Sequence, residues 1–188
     1  MKHEFNMYVG PMFGGKTTKL LSAIDRYKYQ GRDIHVFKPD VDSRYSTDEI
    51  VTHWGARIPA RRLAAADVSK VLLPFSFLGR LSVPAVIAVD EAFMIAGIGD
   101  ALVHLFKAGH TILISSLQLS SDGTPYGEIQ KLFPYATHIE VCPAIDPISK
   151  RDAYYTEKYA GRSDHKIEVG GAEMYRPRDF KGFFEVIS

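Results

Sequence analysis

The sequence predicts an α/β protein in which helices cover both faces of a parallel sheet. Strand-length apolar runs alternate with helix-length segments over the first 142 residues. Several of these runs, such as residues 83–89, are apolar throughout, which is typical of parallel strands buried on both faces. A glycine-rich loop also joins the first run to the first helix, an order found in this class of fold.

The elements of this core follow in order along the chain. Residues 5–9 form a predicted buried strand, and residues 17–29 a helix in which Leu20, Leu21 and Ile24 recur at helical spacing. Pro39 stops the second strand, and Gly109 suits the end of a later helix. The remaining predictions are strands at 33–38, 83–89, 111–115 and 138–141, a possible strand at 50–53, helices at 64–73, 98–108 and 128–132, and loops at 40–47 and 120–127.

The character of the chain changes after about Pro143. Two antiparallel strands are predicted there, at residues 154–158 and 166–169, on either side of residues 159–165. The sequence therefore predicts a core domain, residues 1–142, followed by a small appended subdomain, residues 143–188.

Composition excludes several classes of protein. The 188 residues are 46% hydrophobic and 24% charged, as in a soluble globular domain, and the formal net charge is +1. A net charge this close to zero does not indicate binding to nucleic acid or to a membrane surface. No apolar run reaches the roughly 20 residues that span a bilayer. The chain leads directly into a strand, so no signal peptide and a cytoplasmic location are expected. The single cysteine, Cys142, excludes an internal disulfide and a cysteine-built zinc site.

The glycine-rich loop carries the strongest chemical signal. Residues 10–17, GPMFGGKT, fit the phosphate-binding pattern G-x-x-x-x-G-K-[ST] without a mismatch. Backbone N–H groups of such a loop and the start of the following helix face an anion. Lys16 would reach the β- and γ-phosphates of a nucleotide, and the Thr17 hydroxyl would ligate Mg²⁺. The alternative, a βα turn that binds nothing, is disfavoured by the complete pattern in this context.

A second motif lies at residues 86–91, VIAVDE, where an apolar strand ends in two acids. Asp90 is the candidate on the metal side, and Glu91 could take a proton from a substrate hydroxyl that attacks the γ-phosphate. A strand end capped by two solvated acids is the alternative, and the intact phosphate loop makes it the weaker one. The candidate nucleotide-binding residues are Gly10, Gly14, Gly15, Lys16, Thr17, Thr18 and Asp90.

Residues 38–45, KPDVDSRY, follow the second strand and so lie at the ligand-binding edge of an open α/β sheet. Asp42 could hold a water on Mg²⁺, and Arg44 could stabilise phosphoryl oxygens during transfer. On spacing alone, a charged solvated loop is the preferred interpretation.

Taken in order, these segments resemble the type II thymidine kinase family of cellular, bacterial and viral enzymes. The resemblance covers nearly the whole chain, and it depends on six segments that occur in the order and at the approximate spacing of that family. The segments are residues 10–17, 38–45 and 52–53, with VDEA at 89–92, PYGEI at 125–129 and GGAEMY at 170–175. The resemblance implies a recombinase-like P-loop core and a small C-terminal lasso-type subdomain that closes over the nucleoside.

The resemblance also implies roles for single residues. Glu91 matches the general base for the nucleoside 5′-hydroxyl, and Arg44 matches a phosphate-contacting arginine; with Lys16 these are the candidate catalytic residues. Thr17 and Asp90 match the Mg²⁺ side, to which Asp42 contributes through water. The residues that match those enclosing the base are Met12, Leu117, Tyr126, Thr156 and Tyr175, together with Ile167, Val169 and Gly170 in the closing loop.

Two departures from the family pattern affect these expectations. The family ties its closing loop with a four-cysteine zinc site, but here only Cys142 matches a ligand, and Ile145, Asp179 and Gly182 stand at the other three positions. No structural zinc is therefore predicted, and the subdomain is expected to be held by aromatic contacts of Tyr154, Tyr159, Phe180, Phe183 and Phe184. Residues 93–95 are Phe-Met-Ile where the family has Gln-Phe-Phe, which leaves the base preference open.

The function implied is an ATP-dependent, Mg²⁺-dependent deoxynucleoside 5′-kinase, with thymidine as the first expected substrate. A kinase for a modified or different deoxynucleoside and an inactive nucleotide-binding member of the family are the alternatives. An ATPase or DNA-dependent motor on the same core is disfavoured by the lack of a basic patch. The resemblance further implies a homotetramer with dTTP as a feedback inhibitor, and no nucleic-acid or membrane partner.

Overall fold

A computed structural model describes residues 3–42, 46, 48–80, 84–161 and 167–187 of the chain. The core contains the strands β1 (Phe5–Val9), β2 (Ile34–Pro39), β3 (Glu49–Val51), β4 (Arg57–Pro59), β5 (Arg61–Leu63), β6 (Val86–Val89), β7 (Thr111–Ser116) and β8 (His138–Val141), with helices α1 (Lys16–Tyr29), α2 (Val68–Arg80), α3 (Ile98–Lys107) and α4 (Gly127–Gln130). The C-terminal part contains β9 (Ala144–Ile145), β10 (Asp152–Ala153), β11 (Tyr155–Lys158), β12 (Tyr175–Arg178) and α5 (Phe180–Ile187).

The central sheet has six strands in the order β5-β2-β6-β7-β1-β8, and every neighbouring pair is parallel. β6 and β7 are buried at every position, which explains why β6 and residues 112–114 of β7 are continuously apolar rather than alternating. One face packs on α1 through Leu20 and Ile24, and the other packs on α2 and α3 through residues such as Leu72 and Leu102. The predicted α/β class, with helices on both faces of a parallel sheet, is confirmed.

The helix predicted at residues 64–73 has different bounds. A short 3₁₀ turn at residues 65–67 leads into α2, which continues through Pro74 to Arg80. A proline inside a helix removes one backbone hydrogen bond and usually ends the helix. Here the helix continues because Leu72 and Phe75 are buried on either side of Pro74, and the Phe75 carbonyl accepts a hydrogen bond from His110 Nε2 at 2.6 Å.

The prediction of antiparallel strands at 154–158 and 166–169 is wrong in its second half. β11 pairs instead with β12, so that Glu157 lies opposite Arg176, and residues 167–170 have no strand structure. Pro177 disfavours a strand because proline lacks a backbone N–H group. β12 tolerates it because, in a two-stranded sheet, the outer edge of each strand has no neighbouring strand to which an N–H group must donate. The opposite charges of Glu157 and Arg176 add a favourable cross-strand pair.

The carboxyl ends of β1, β6 and β7 meet at one edge of the sheet, and the candidate site is built there. β1 leads into the glycine-rich loop, β6 into Asp90 and Glu91, and β7 into Leu117. The hairpin of β3 and β4 stands beside this edge. Among the described residues, no helix has the length and apolarity to cross a membrane.

Candidate active site

The glycine-rich loop passes directly over the end of β8. Gly10 has a φ of 148° and Gly15, at the start of α1, a φ of 75°, and both values favour glycine. A Cβ atom on Gly10 or on Gly14 would overlap the carbonyl oxygen of Cys142. These glycines therefore allow the loop to wrap tightly, with its backbone facing the space above the sheet.

Lys16 and Thr17 lie at the first turn of α1, where the loop closes. The Lys16 side chain is buried, and its Nζ donates a hydrogen bond to the Pro11 carbonyl at 2.6 Å. The Thr17 hydroxyl donates to Asp90 Oδ1 at 3.1 Å, which joins the loop to the end of β6. All three side chains line an open cleft of about 350 Å³. The two sequence motifs that predicted nucleotide binding are thus brought together.

Ser115 is a residue of this site that the sequence analysis missed. Val89 of β6 is in register with Ile114 of β7, so the residues that follow each of them also lie side by side. The buried Ser115 hydroxyl donates to Asp90 Oδ1 and accepts a hydrogen bond from the Glu91 backbone N–H at 3.2 Å. It therefore holds both acids in place. The signal in the sequence is a pair of serines directly after the apolar residues 112–114.

The environment of Asp90 raises the pKa of its carboxyl group. Burial and the neighbouring Glu91 raise its pKa to about 6, although hydrogen bonds from Ser115 and Thr17 and the charge of Lys16 act in the opposite direction. A carboxylate and a hydroxyl are the hard oxygen ligands that Mg²⁺ prefers. The oxygen atoms of Asp90 and Thr17 are therefore ligands that would fit a magnesium ion.

Glu91 stands where two spaces meet. Its backbone is in the left-handed region, with φ 48° and ψ 44°, which is uncommon for a residue with a side chain and often marks a functional site. Glu91 and Met12 line the open cleft, and both also line a second, closed cavity. A group bound in that cavity would therefore meet the phosphate cleft at the Glu91 carboxylate.

The closed cavity collects most of the residues predicted to enclose a base. Its volume is about 20 Å³, room for roughly one water molecule. Phe93 and Tyr126 pack together in its wall, with ring centroids 4.6 Å apart. Ile167 and Val169 are not among the lining residues. The wall is formed by the predicted residues Met12, Leu117, Tyr126, Thr156, Gly170 and Tyr175 and by Glu91, Phe93, Met94, Ser121 and Glu168.

Hydrogen bonds tie the loop and the C-terminal strands to this cavity. The Met12 backbone N–H donates to Thr156 Oγ1 at 2.9 Å, and the Tyr175 hydroxyl donates to the Glu168 carbonyl at 3.0 Å. A Cβ on Gly170 would lie 2.5 Å from the sulfur of Met174, so glycine permits the close approach of the chain at that point. The cavity is thus closed over by β11, β12 and residues 167–170.

The remaining candidates for the phosphate cleft are Asp42 and Arg44, and the structure describes only Asp42. Asp42 is buried and lines the open cleft, together with Thr52, His53 and Trp54 of the β3–β4 hairpin. Arg44 lies outside the described residues, so its predicted place beside the phosphates is neither supported nor contradicted.

Ion pairs, as well as aromatic contacts, hold the C-terminal part. Tyr155 stacks on Phe183 with centroids 4.9 Å apart and also contacts Phe180 and Phe184. Of the five aromatic residues predicted to hold this region, Tyr154 is exposed, and Tyr159 packs against Arg176 instead. The missed contribution comes from ion pairs among Asp146, Glu157, Arg176 and Arg178, of which only Arg176 is partly exposed.

The residues present do not fit a structural zinc. Asp179, at one of the positions where the resembling family has a cysteine, accepts a hydrogen bond from the Gly182 N–H at 2.8 Å and pairs with Arg151. Within the part of the chain that the structure describes, no group of three or more histidine, cysteine or acidic side chains could hold a metal.

A phosphate loop followed by a helix, with an acid from a neighbouring parallel strand beside it, defines a P-loop nucleotide-binding protein. Comparison with known proteins narrows this class. The family model described as thymidine kinase matches residues 3–179, and the chain belongs to that family. It is similar to the thymidine kinase of Thermococcus kodakarensis, with 30% identity over 180 residues that cover 90% of this chain and 88% of the relative. The protein is accordingly a phosphotransferase of the deoxynucleoside kinase type.

Proposed function

We propose that the protein transfers the γ-phosphoryl group of ATP to the 5′-hydroxyl of thymidine, giving ADP and dTMP. The observation that carries this proposal is the position of Glu91 and Met12, which line both the phosphate cleft and the closed cavity. A nucleoside with its base in the cavity would place its 5′-hydroxyl at the boundary, beside Glu91. A triphosphate in the cleft would extend toward the same point from the glycine-rich loop.

In this mechanism the Glu91 carboxylate takes the proton of the 5′-hydroxyl as its oxygen attacks the γ-phosphorus. The bond from that phosphorus to the bridging oxygen breaks, and ADP leaves with the electron pair. Lys16 would exchange its hydrogen bond to the Pro11 carbonyl for the β- and γ-phosphates. Thr17 and Asp90 would hold Mg²⁺, with Asp42 acting through water, and the ion would neutralise phosphate oxygens. Arg44 is proposed to contact the transferring group.

The size of the base cavity implies that it opens to admit substrate. A space of about 20 Å³ cannot hold a pyrimidine ring. The wall able to move is the one contributed by residues 167–170, which have no strand structure, because the other walls belong to the central sheet, its loops and the paired strands β11 and β12. Binding of the base is therefore expected to displace the contact between the Tyr175 hydroxyl and the Glu168 carbonyl.

Phosphate transfer from γ-labelled ATP to a panel of deoxynucleosides tests the proposal. Thymidine should give a labelled monophosphate, and the panel should include deoxyuridine, 5-hydroxymethyldeoxyuridine, deoxycytidine and the purines. Transfer to a different deoxynucleoside alone would overturn thymidine as the substrate and would make Phe93 and Met94, which line the cavity, the first residues to examine for specificity. Absence of transfer to any nucleoside would overturn the kinase proposal.

Two variants test the assigned roles. Glu91→Gln should lose most turnover while thymidine binding persists, and Glu185→Gln on the exposed side of α5 is its matched control. Lys16→Ala should lose activity, with the exposed Lys70→Ala as control. Full turnover in Glu91→Gln would remove Glu91 from the role of base, and an unchanged kcat in Lys16→Ala would contradict phosphate binding at the loop.

The homotetramer, inhibition by dTTP and the cytoplasmic location stay predictions from the family resemblance. Size-exclusion chromatography with light scattering tests the first. Inhibition of thymidine phosphorylation by dTTP, in competition with thymidine, tests the second.

A further inference from the structure

A cluster of charges, buried except for Arg176 at its edge, joins the C-terminal strands. We call Asp146, Glu157, Arg176 and Arg178 the Arg178 cluster. Arg178 Nε donates to Asp146 Oδ2 at 3.1 Å, and its Nη1 donates to Glu157 Oε2 at 2.7 Å. Arg176 forms a bidentate pair with the same Glu157, at 2.6 and 3.0 Å. One guanidinium thus links the turn after β9 to the middle of β11.

The cluster is shielded from water at its centre. The side chain of Asp146 is 0% exposed, that of Glu157 7% and that of Arg178 10%. Asp146 also accepts hydrogen bonds from the backbone N–H groups of Ile148, Ser149 and Asp179. Buried charges are tolerated when they are paired and hydrogen-bonded in this way.

The same cluster reaches the start of α5. The Asp179 N–H donates to Asp146 Oδ2 at 2.9 Å, and the Asp179 carboxylate accepts from Gly182 N–H and pairs with Arg151. A Cβ on Gly182 would lie 2.7 Å from Arg178 Cζ and Nε, so the guanidinium occupies the space that a side chain there would need. Asp179 and Gly182 stand at two of the positions where the family that the chain resembles has zinc-binding cysteines.

The cluster is one residue away from the nucleoside cavity on each strand. Thr156 precedes Glu157 on β11, and its hydroxyl accepts the Met12 N–H of the glycine-rich loop. Tyr175 precedes Arg176 on β12 and lines the same cavity. Residues 155–158 pair with 175–178 in antiparallel register, so the charges that fix this register also fix Thr156 and Tyr175.

We infer that Arg178 is a positioning residue for the nucleoside, and that its ion pairs with Asp146 and Glu157 replace a metal clip in holding β11 and β12 over the base cavity. This inference rests on the proposed function for the identity of the ligand. Replacing a buried ion pair with apolar residues is often neutral for stability, whereas removal of one partner is costly. The role assigned to Arg178 is therefore to place β11 and β12. Because these strands cover the base cavity, loss of Arg178 should weaken binding of the nucleoside more than binding of ATP.

The test compares Arg178→Met and Arg178→Lys with Arg26→Met, an exposed arginine in the last turn of α1. Arg178→Met should raise the KM and the calorimetric Kd for thymidine by about tenfold or more, while the KM for ATP stays within about twofold. Arg178→Lys should recover part of the loss because it restores charge without the forked geometry. The Arg26→Met control should match the parent protein.

Hydrogen exchange supplies a readout that needs no substrate. In Arg178→Met, amides of β11 and β12 should exchange faster, while those of β1 and β6 keep their protection. If Arg178→Met does not fold, Glu157→Gln gives the same comparison because it removes one charge and keeps the shape. Equal loss of thymidine and ATP affinity, or no loss of either, would overturn the positioning role.

Chelation tests the replacement of the metal. The parent protein, dialysed against EDTA and returned to Mg²⁺, should keep its thymidine Kd and its exchange pattern in β11 and β12. A loss of thymidine binding that zinc restores would overturn the inference. A parent protein that binds thymidine but transfers no phosphate would contradict the proposed function and leave the inference intact.

Discussion

Gly182→Ala sets the helix propensity of alanine against a steric clash with the Arg178 guanidinium. Gly182 lies inside α5, where alanine normally favours the helix by about 1 kcal/mol over glycine. The added methyl group would lie 2.7 Å from Arg178 Cζ and Nε. An arginine on the surface would move aside at little cost, but this one is held by Asp146 and Glu157.

The magnitude follows from the hydrogen bonds at risk. Displacing the guanidinium breaks the bonds to Asp146 Oδ2 and Glu157 Oε2, and a hydrogen bond to a charged group contributes about 1.5–3 kcal/mol. Two such losses less the helix gain give a net destabilisation of about 2–5 kcal/mol. At about 2–4 °C per kcal/mol for a chain of this size, Tm should fall by roughly 4–20 °C.

Calorimetric unfolding measures this shift, and Gly127→Ala is the matched control. Gly127 begins α4, and a Cβ there would have no heavy atom within 4 Å. The control should unfold at or slightly above the Tm of the parent protein. If Gly182→Ala also unfolds at or above the parent Tm, the Arg178 cluster does not constrain α5 and the reasoning is refuted.

Three further predictions concern the core and the open cleft. Ser115→Ala removes the hydrogen bonds that hold Asp90 and Glu91. A hydrogen bond to a charged partner contributes about 1.5–3 kcal/mol, so kcat should fall about 10–100-fold. An unchanged kcat would contradict this support role of Ser115. His110 is buried with its pKa lowered by desolvation, so the stability it contributes is present above its unfolded pKa near 6.5 and is lost as the pH falls below that value. Urea unfolding between pH 8 and pH 5 should show this loss in the parent protein and in the exposed control His104→Gln, whereas a His110→Gln variant, less stable throughout, should show a flatter curve. Trp54 is the only tryptophan, is 86% exposed and lines the cleft, so its fluorescence should change with ATP, whereas Lys16→Ala should abolish the response. A response that persists in Lys16→Ala would place the nucleotide elsewhere.

The central sheet could be predicted from sequence because its information is local. The strands at residues 5–9 and 138–141 have the predicted bounds, β6 is apolar throughout, and β7 is apolar over residues 112–114. The glycine-rich loop fixed the order of the first strand and helix. Where a strand is buried on both faces, composition alone is sufficient to find it.

The C-terminal pairing could not be found in this way because its information is non-local. Residues 166–169 alternate as a strand should, yet β11 pairs with a segment that contains Pro177. The choice is decided by charges that are distant in sequence, above all Asp146 and Arg178, which are separated by 32 positions. Sequence patterns report burial and period, but they do not report which charged side chains will meet.

The same limit applies at the active-site edge. Lys16, Thr17 and Asp90 were found because each belongs to a motif, and the structure brings them together. Ser115 belongs to no motif, and only the register of β6 with β7 places its hydroxyl beside Asp90. Residues that support catalytic groups across a parallel sheet become visible in sequence only when the strand order is known.

The Arg178 cluster also makes the stability of β11 and β12 depend on pH. Burial by itself raises the pKa of the Asp146 carboxyl, but backbone N–H donors and the Arg178 guanidinium outweigh it and bring the pKa to about 2. The Arg176 guanidinium is the largest influence on Glu157, and it lowers the pKa of that carboxyl. Because both pKa values are depressed by folding, the stability they contribute is complete above the unfolded values near 4 and is lost as the pH falls below them.

This pH range lies well below the range in which His110 titrates. β11 and β12 should therefore lose stability at a lower pH than the core around His110. Amide exchange in β11 and β12 should stay protected as the pH falls from 7 to about 5, and protection relative to β1 should be lost between about pH 4.5 and pH 2. In Arg178→Met the relative protection should already be low at pH 7. If β11 and β12 instead lose protection near pH 6.5 together with α2, then His110 and not the ion pairs controls them. The strands over the base would then be part of the core rather than a separately held cover.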